Sequence, residues 1–329
     1  MKLTGWVAVG LMCAWLVPAV PAVAPRATTQ ADSPFVLGVL RRDGVVLPFA
    51  AFDGRRWSEP WPADLRQDLP ISLEDVPSRW WGRAAPPSAL TQWLDGANSG
   101  PPVALTRPAT IPIMCSSRIV LRSDYVSKQP VPLPFEQPFP KDGLVSSGSQ
   151  RIDPIPQVAR NSGEWKATPG VLLDRFNRLE DAAVGNFEAW RHPVTGSVRH
   201  RTPIEIEALY RLPMDEPGWA AYYVEAVRQY APGPEDAGCG LVTFVSGWIR
   251  LPGTGTPLFD LDAVVSYCDR RGAGYLLPLG TMRLDDRQFW IYQLSGQDRE
   301  WYVVARPARR SIEIHVEYPA GTCPTSGPQ

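Results

Sequence analysis

The chain has 329 residues, of which 44% are hydrophobic and 10% aromatic, with 36 prolines and a formal net charge of −1. That apolar content can bury at least one sizeable core and excludes a disordered chain, while so much proline excludes a protein built on long helices. Near-zero charge supplies no field that would gather nucleic acid or anionic lipid, so any partner has to be recognised locally.

The N-terminus has Lys2, then an uncharged run from Leu3 to Pro25. That is the shape of a secretory leader, predicted over residues 1–24 with cleavage between 22 and 31, which places the protein outside the cytoplasm, periplasmic or secreted. The alternative is an uncleaved anchor, since about twenty apolar residues can span a bilayer, and a membrane partner is expected only in that case. Lysine occurs only at Lys2, Lys128, Lys141 and Lys166. This arginine bias fits a GC-rich bacterial coding sequence better than a phosphate-binding surface.

Loss of the leader removes Cys13 and leaves Cys115, Cys239, Cys268 and Cys323. An even number in an exported chain predicts two disulfides. Cys239 with Cys323 is the favoured pair, because both stand in glycine-containing loop contexts and the bond would tie down the tail. No C-x-x-C and no paired histidines occur, so neither a metal site nor a cofactor is expected.

Residues 33–150 form a β-rich N-terminal part. The run F-V-L-G-V-L-R-R-D-G-V-V-L-P-F-A-A-F reads as two strands around an Asp43-Gly44 hairpin turn, which needs positive backbone angles. R-W-W-G-R-A and S-R-I-V-L-R-S-D-Y are further short strand candidates, and residues 131–140 read as an extended, polyproline-type connection. Residues 151–200 form a connector with one prominent helix near 169–184. Thr168 caps it, Pro169 suits its first turn, Leu172, Phe176, Leu179 and Ala183 share a face, and Gly185 ends it.

Residues 201–320 form a dense antiparallel set. Adjacent aromatics recur at Trp80-Trp81, Tyr222-Tyr223, Phe289-Trp290 and Trp301-Tyr302. Neighbours on a strand face opposite sides, so such pairs predict sheets covered on both faces. A loose echo joins Gly44 to Trp57 with Gly274 to Trp290. The expected fold is mainly β, antiparallel meanders packed on both faces, either closed in a propeller-like assembly or divided into two sandwich-like subdomains.

Chemistry is sparsely marked. There is no G-x-S-x-G nucleophile motif, and the histidines are His192, His200 and His315. His315 shares a strand face with Glu313 and Glu317, a row that a solvated strand also explains. Glu205 and Glu207 share a face of P-I-E-I-E-A-L-Y, the paired carboxylates that glycoside hydrolysis needs. Asp260 and Asp262 in F-D-L-D lack the spacing of a calcium loop and read as a loop-side acidic cluster. Trp61, Trp93 and Trp165 lie in polar or proline-rich surroundings, where indole faces can stack on sugars.

The sequence therefore favours an exported, non-enzymatic protein that binds a glycan or an envelope protein through aromatic loop residues. A secreted carboxylate-dependent glycoside hydrolase and a structural component of an envelope assembly are the alternatives.

Overall fold

The computed structural model describes residues 33–62, 69–94, 100–133, 138–186, 192–231 and 240–323, all within one compact unit. The predicted leader lies outside these residues, as does Cys239. The first seven-stranded sheet comprises β1 (Phe35–Arg41), β2 (Val45–Phe52), β3 (Trp57–Ser58), β4 (Ala89–Leu94), β5 (Val103–Ile113), β6 (Ser116–Ser123) and β7 (Lys141–Ser146). Its order is β1-β7-β4-β5-β6-β2-β3, and an additional pairing of β1 with β2 closes six strands into a barrel. Gly44, at φ 75°, makes the β1–β2 turn, as the Asp-Gly signal predicts. Every residue of β1 and β2 except the turn is buried, because the barrel interior takes one face of these strands and other elements cover the opposite face.

The remaining strands form two sheets. One has the order β12-β11-β10-β9, from β9 (Glu205–Pro213), β10 (Trp219–Gln229), β11 (Leu241–Pro252) and β12 (Leu258–Tyr267). The other has the order β16-β15-β14-β13-β8, from β8 (Ile152–Asp153), β13 (Tyr275–Leu284), β14 (Arg287–Ser295), β15 (Arg299–Pro307) and β16 (Ile312–Thr322). All the strand pairings are antiparallel. The expected mainly-β class with one long helix is what forms, and the closed element is a barrel.

Three apolar clusters stack these parts in layers. Met282, Phe289, Tyr302 and Tyr318 of the five-stranded sheet join the barrel cluster. Leu276, Trp290, Tyr292 and Val303, on its other face, pack on Tyr223 and Trp248 of the four-stranded sheet. Tyr222, on the far side of that sheet, belongs to the cluster under the helix. The adjacent aromatics Tyr222-Tyr223 and Phe289-Trp290 thus feed two cores each, which is why both sheets tolerate them. Trp80-Trp81 differs: both indoles are buried, but they sit on a 3-10 turn (Ser78–Trp81) and not on a strand. A short turn places consecutive side chains on one side more readily than a strand does.

Helix α1 runs Gly163–Gly185, so it begins ahead of the predicted Pro169. Ser162 is its cap, accepting the Trp165 backbone N–H at 3.1 Å. Thr168 is inside the helix, where its hydroxyl donates to the Glu164 carbonyl at 2.9 Å. Leu172 and Phe176 are fully buried against β9–β12, and Leu179 packs beside them, as the 3.6-residue period predicts. Glu180 shares that buried face and accepts hydrogen bonds from Arg228 at 2.9 Å, from Thr243 at 2.6 Å and from Tyr230. A second short helix, α2 (Gly196–Arg199), follows. Its Arg199 reaches Asp181 of α1 at 2.6 Å.

The disulfide joins Cys115 to Cys323, overturning the favoured Cys239–Cys323 pairing. The β5–β6 turn carries Cys115 to the end of β16, where Ser116 also bonds Thr322 and Arg118 bonds the Ala320 carbonyl. The tail is thus fastened to the barrel. Cys268 is also disulfide-bonded. No helix of the described residues is long and apolar enough to cross a membrane.

Candidate binding cleft

The tryptophans singled out by sequence do not assemble. Trp61 is 2% exposed, donates its indole N–H to the Ile119 carbonyl at 2.9 Å, and packs against Trp80 and Trp81. Proline on either side made the segment read as an open loop, but the ring points beneath that loop into the barrel core. It has no face to offer a ligand. Trp93 on β4 is partly buried against the same core. Trp165 opens α1, with Arg160 over its ring and the helix cluster beneath.

The paired carboxylates also separate in role. Glu207 falls at a bulge in β9 opposite Glu225 and Ala226, and its carboxylate is held by both terminal nitrogens of Arg270 at 2.6 Å. Glu205 is exposed. His315 rests 5.3 Å from the Phe289 ring, and its pKa is lowered, mainly by burial. No cluster of His, Cys, Asp or Glu among the described residues could hold a metal ion.

The structure instead opens a cleft of about 700 Å³ between the four- and five-stranded sheets. Strand register builds its wall. In β10, β11 and β12 one cross-strand row is Tyr223, Trp248 and Asp260, and the next is Glu225, Ser246 and Asp262. Because side chains alternate along each strand, both rows face the five-stranded sheet. Trp248 meets Tyr223 at 5.3 Å, Trp290 at 4.8 Å and Tyr292 at 6.0 Å between ring centroids. Ile312 and Ile314 of β16 and Ser311 before it complete the opposite side.

F-D-L-D is therefore not a loop cluster but the start of β12, the edge strand of its sheet. Phe259, Leu261 and Ala263 pack in the cluster under the helix, with Phe259 and Leu261 also bordering the cleft around this edge strand, while Asp260 and Asp262 point to its opposite face. The alternation in L-F-D-L-D-A-V-V-S-Y is the signal that locates them. Asp260 is fixed by Arg250 at 2.6 Å. Arg250 also donates to the Ala308 and Arg309 carbonyls, bracing the cleft between its two sheets. Gly247 is required beside it: at φ 138°, an added Cβ would collide with the Asp260 carbonyl.

At the inner end of the second row, Glu225 is 5% exposed and accepts the Leu276 N–H at 2.7 Å. Burial pushes its carboxyl up to about 7, against the lowering effect of that hydrogen bond. Burial also raises the phenol of Tyr223, so this side chain remains a neutral hydroxyl over the physiological range.

A second cavity, of about 740 Å³, lies at one end of the barrel. Its charged groups are largely matched internally: Arg42 meets Asp142 at 3.2 Å, Tyr125 donates to Asp142 at 2.7 Å, and Lys141 meets Glu300 at 2.9 Å. Apart from Tyr125 its apolar lining is proline and valine. The inter-sheet cleft combines five aromatic side chains, four of them buried and Phe259 half-buried, with exposed carboxylates and the Ser246 hydroxyl, which is the richer recognition surface. Comparison with protein-family models, with curated proteins and with solved structures finds no match for this chain.

Proposed function

We propose that the chain is an exported, non-enzymatic protein that binds a glycan, or another envelope component with sugar-like faces, in the cleft between its two sheets. The observation that carries this reading is the cleft wall, where the exposed Asp260 and Asp262 and the half-buried Ser246 stand at the mouth above the largely buried rings of Tyr223, Trp248 and Tyr292. Aromatic edges and faces suit the C–H faces of a sugar ring, and carboxylates accept its hydroxyl hydrogens. The disulfides support an oxidising compartment, in keeping with the leader-like N-terminus. Relative to the sequence-based expectation, the binding residues move from aromatic loops to strand positions.

Calorimetric titration with soluble cell-wall fragments and oligosaccharides tests this reading. Asp262 is exposed and has no ion pair among the described residues, so Asp262→Ala is expected to leave the unfolding midpoint unchanged. Loss of a charge-assisted hydrogen bond should weaken a bound saccharide by about tenfold or more. Equal affinity in the variant would remove the cleft from the model. Cleavage of the saccharide during incubation, abolished by Asp262→Asn, would replace a binding protein by a hydrolase. A stable protein complex recovered from the envelope, with no saccharide bound, would favour the structural alternative.

A further inference from the structure

Among the described residues, three charged side chains line the cleft: Arg175, Asp260 and Asp262. Their bonding states differ. Asp260 is neutralised by Arg250 at 2.6 Å. Asp262 makes no hydrogen bond or ion pair within the described residues, although it stands near enough to Tyr223 to disfavour loss of the phenol proton. Arg175 projects from α1, which packs along β12, and it too has no ion pair among the described residues. Its Nε is buried without a hydrogen-bond partner among the described residues.

Several neighbouring charges on α1 are engaged. Glu180 is held by Arg228, Asp181 by Arg199 and His200, and Arg178 bonds back to the Asp174 carbonyl. Arg175 and Asp262 are thus opposite charges lining the same cleft that do not neutralise each other. A buried donor without a partner is a cost that a ligand can remove. A guanidinium matches the fork of a carboxylate, and a carboxylate accepts from an ammonium. With Asp260 already balanced, the two remaining charges sum to zero. The cleft therefore favours neither a polyanion nor a polycation.

We infer that the cleft recognises a zwitterionic ligand: a saccharide fragment bearing a short peptide, whose free carboxylate meets Arg175 and whose free amine meets Asp262, with the sugar at the cleft mouth beside the exposed Ile314. This rests on the cleft being the binding site. It goes further by fixing the ligand's charge pattern.

The experiment is a calorimetric comparison of five probes on the purified protein. They are a neutral N-acetylglucosamine tetrasaccharide, a cationic glucosamine tetrasaccharide, an anionic hexuronate tetrasaccharide, a disaccharide-peptide with one free amine and one free carboxylate, and that peptide alone. The disaccharide-peptide is expected to bind at least about tenfold more tightly than each of the others. Arg175→Met should abolish its advantage over the cationic probe, and Asp262→Asn its advantage over the anionic one. Arg175→Lys, which keeps the charge, should retain part of the preference, and thermal melts check that each variant is folded.

Equal affinity for the neutral tetrasaccharide would overturn the zwitterion assignment and leave saccharide binding standing. Equal affinity for the peptide alone would leave the charge pattern standing and overturn the sugar's contribution. Heat from none of the five probes would overturn both.

Discussion

Glu225 stands at the inner end of the row it forms with Ser246 and Asp262, and its burial makes the protein's stability depend on pH in a definite direction. Its pKa is raised from 4.5 to about 7, first by desolvation and further by the nearby Glu207, with the Leu276 hydrogen bond and Arg270 opposing. Between those two values the folded chain holds a proton that the unfolded chain releases. Stability from this group is therefore fully present below 4.5 and declines as pH rises towards 7. A shift of that size corresponds to about 3 kcal/mol. Urea unfolding at pH 4.5 and pH 8 should show Glu225→Gln to be less sensitive than the natural chain by roughly that amount. Equal pH dependence in the two would mean that Glu225 is not buried as described. Trp61 gives a second test at this scale. Removing an indole that packs on Trp80 and Trp81 and bonds Ile119 should cost about 3–5 kcal/mol, so Trp61→Ala should lower the unfolding midpoint, with no selective effect on ligand affinity.

Among the elements, Lys141 of β7 and Glu300 of β15 join the barrel to the five-stranded sheet. Their side chains are 5% and 2% exposed, they meet at 2.9 Å, and Tyr302 donates to the same carboxylate at 2.5 Å. Burial drives the Lys141 pKa down while Glu300 opposes that shift, so the ammonium depends on its partner. Glu300→Gln leaves a buried cation without its counter-charge and is expected to destabilise the fold by about 3–5 kcal/mol in chemical denaturation. Adding Lys141→Met should recover part of the loss. No recovery would show that the two side chains act independently.

Several elements could be read from residue patterns and others could not. The Asp43-Gly44 turn was legible because its backbone geometry is demanded locally, and the two-faced sheets were legible in Tyr222-Tyr223 and Phe289-Trp290. The start of α1 was not, because Pro169 has the same local preference in a first turn whether or not an earlier serine caps the helix. Strand β12 was hidden by the two aspartates in its first half, although Phe259, Leu261, Ala263 and Val265 alternate clearly. The Cys115–Cys323 bond depends on where the β5–β6 turn meets the end of β16. That juxtaposition is set by barrel closure and leaves no mark near either cysteine.

The whole molecule is a set of layers, with the helix on the four-stranded sheet, that sheet on the five-stranded sheet, and the latter on the barrel. Two of these junctions are filled by apolar clusters, and the middle one is filled only in part, which is how the cleft arises. The candidate site was illegible for that reason: Tyr223 and Trp248 come together with Asp260 through cross-strand register, whereas Tyr292, Ile312 and Ile314 arrive from another sheet. Titration followed by NMR of isotopically labelled isoleucine and valine methyl groups tests this assignment most directly, using soluble cell-wall saccharide fragments as the ligand. Shifts should concentrate at Ile312, Ile314 and Val264 of the cleft, with Val103 and Val126 at the barrel end unmoved. Saturable shifts confined to Val103 and Val126 would place binding at the barrel instead and contradict the cleft as the functional site.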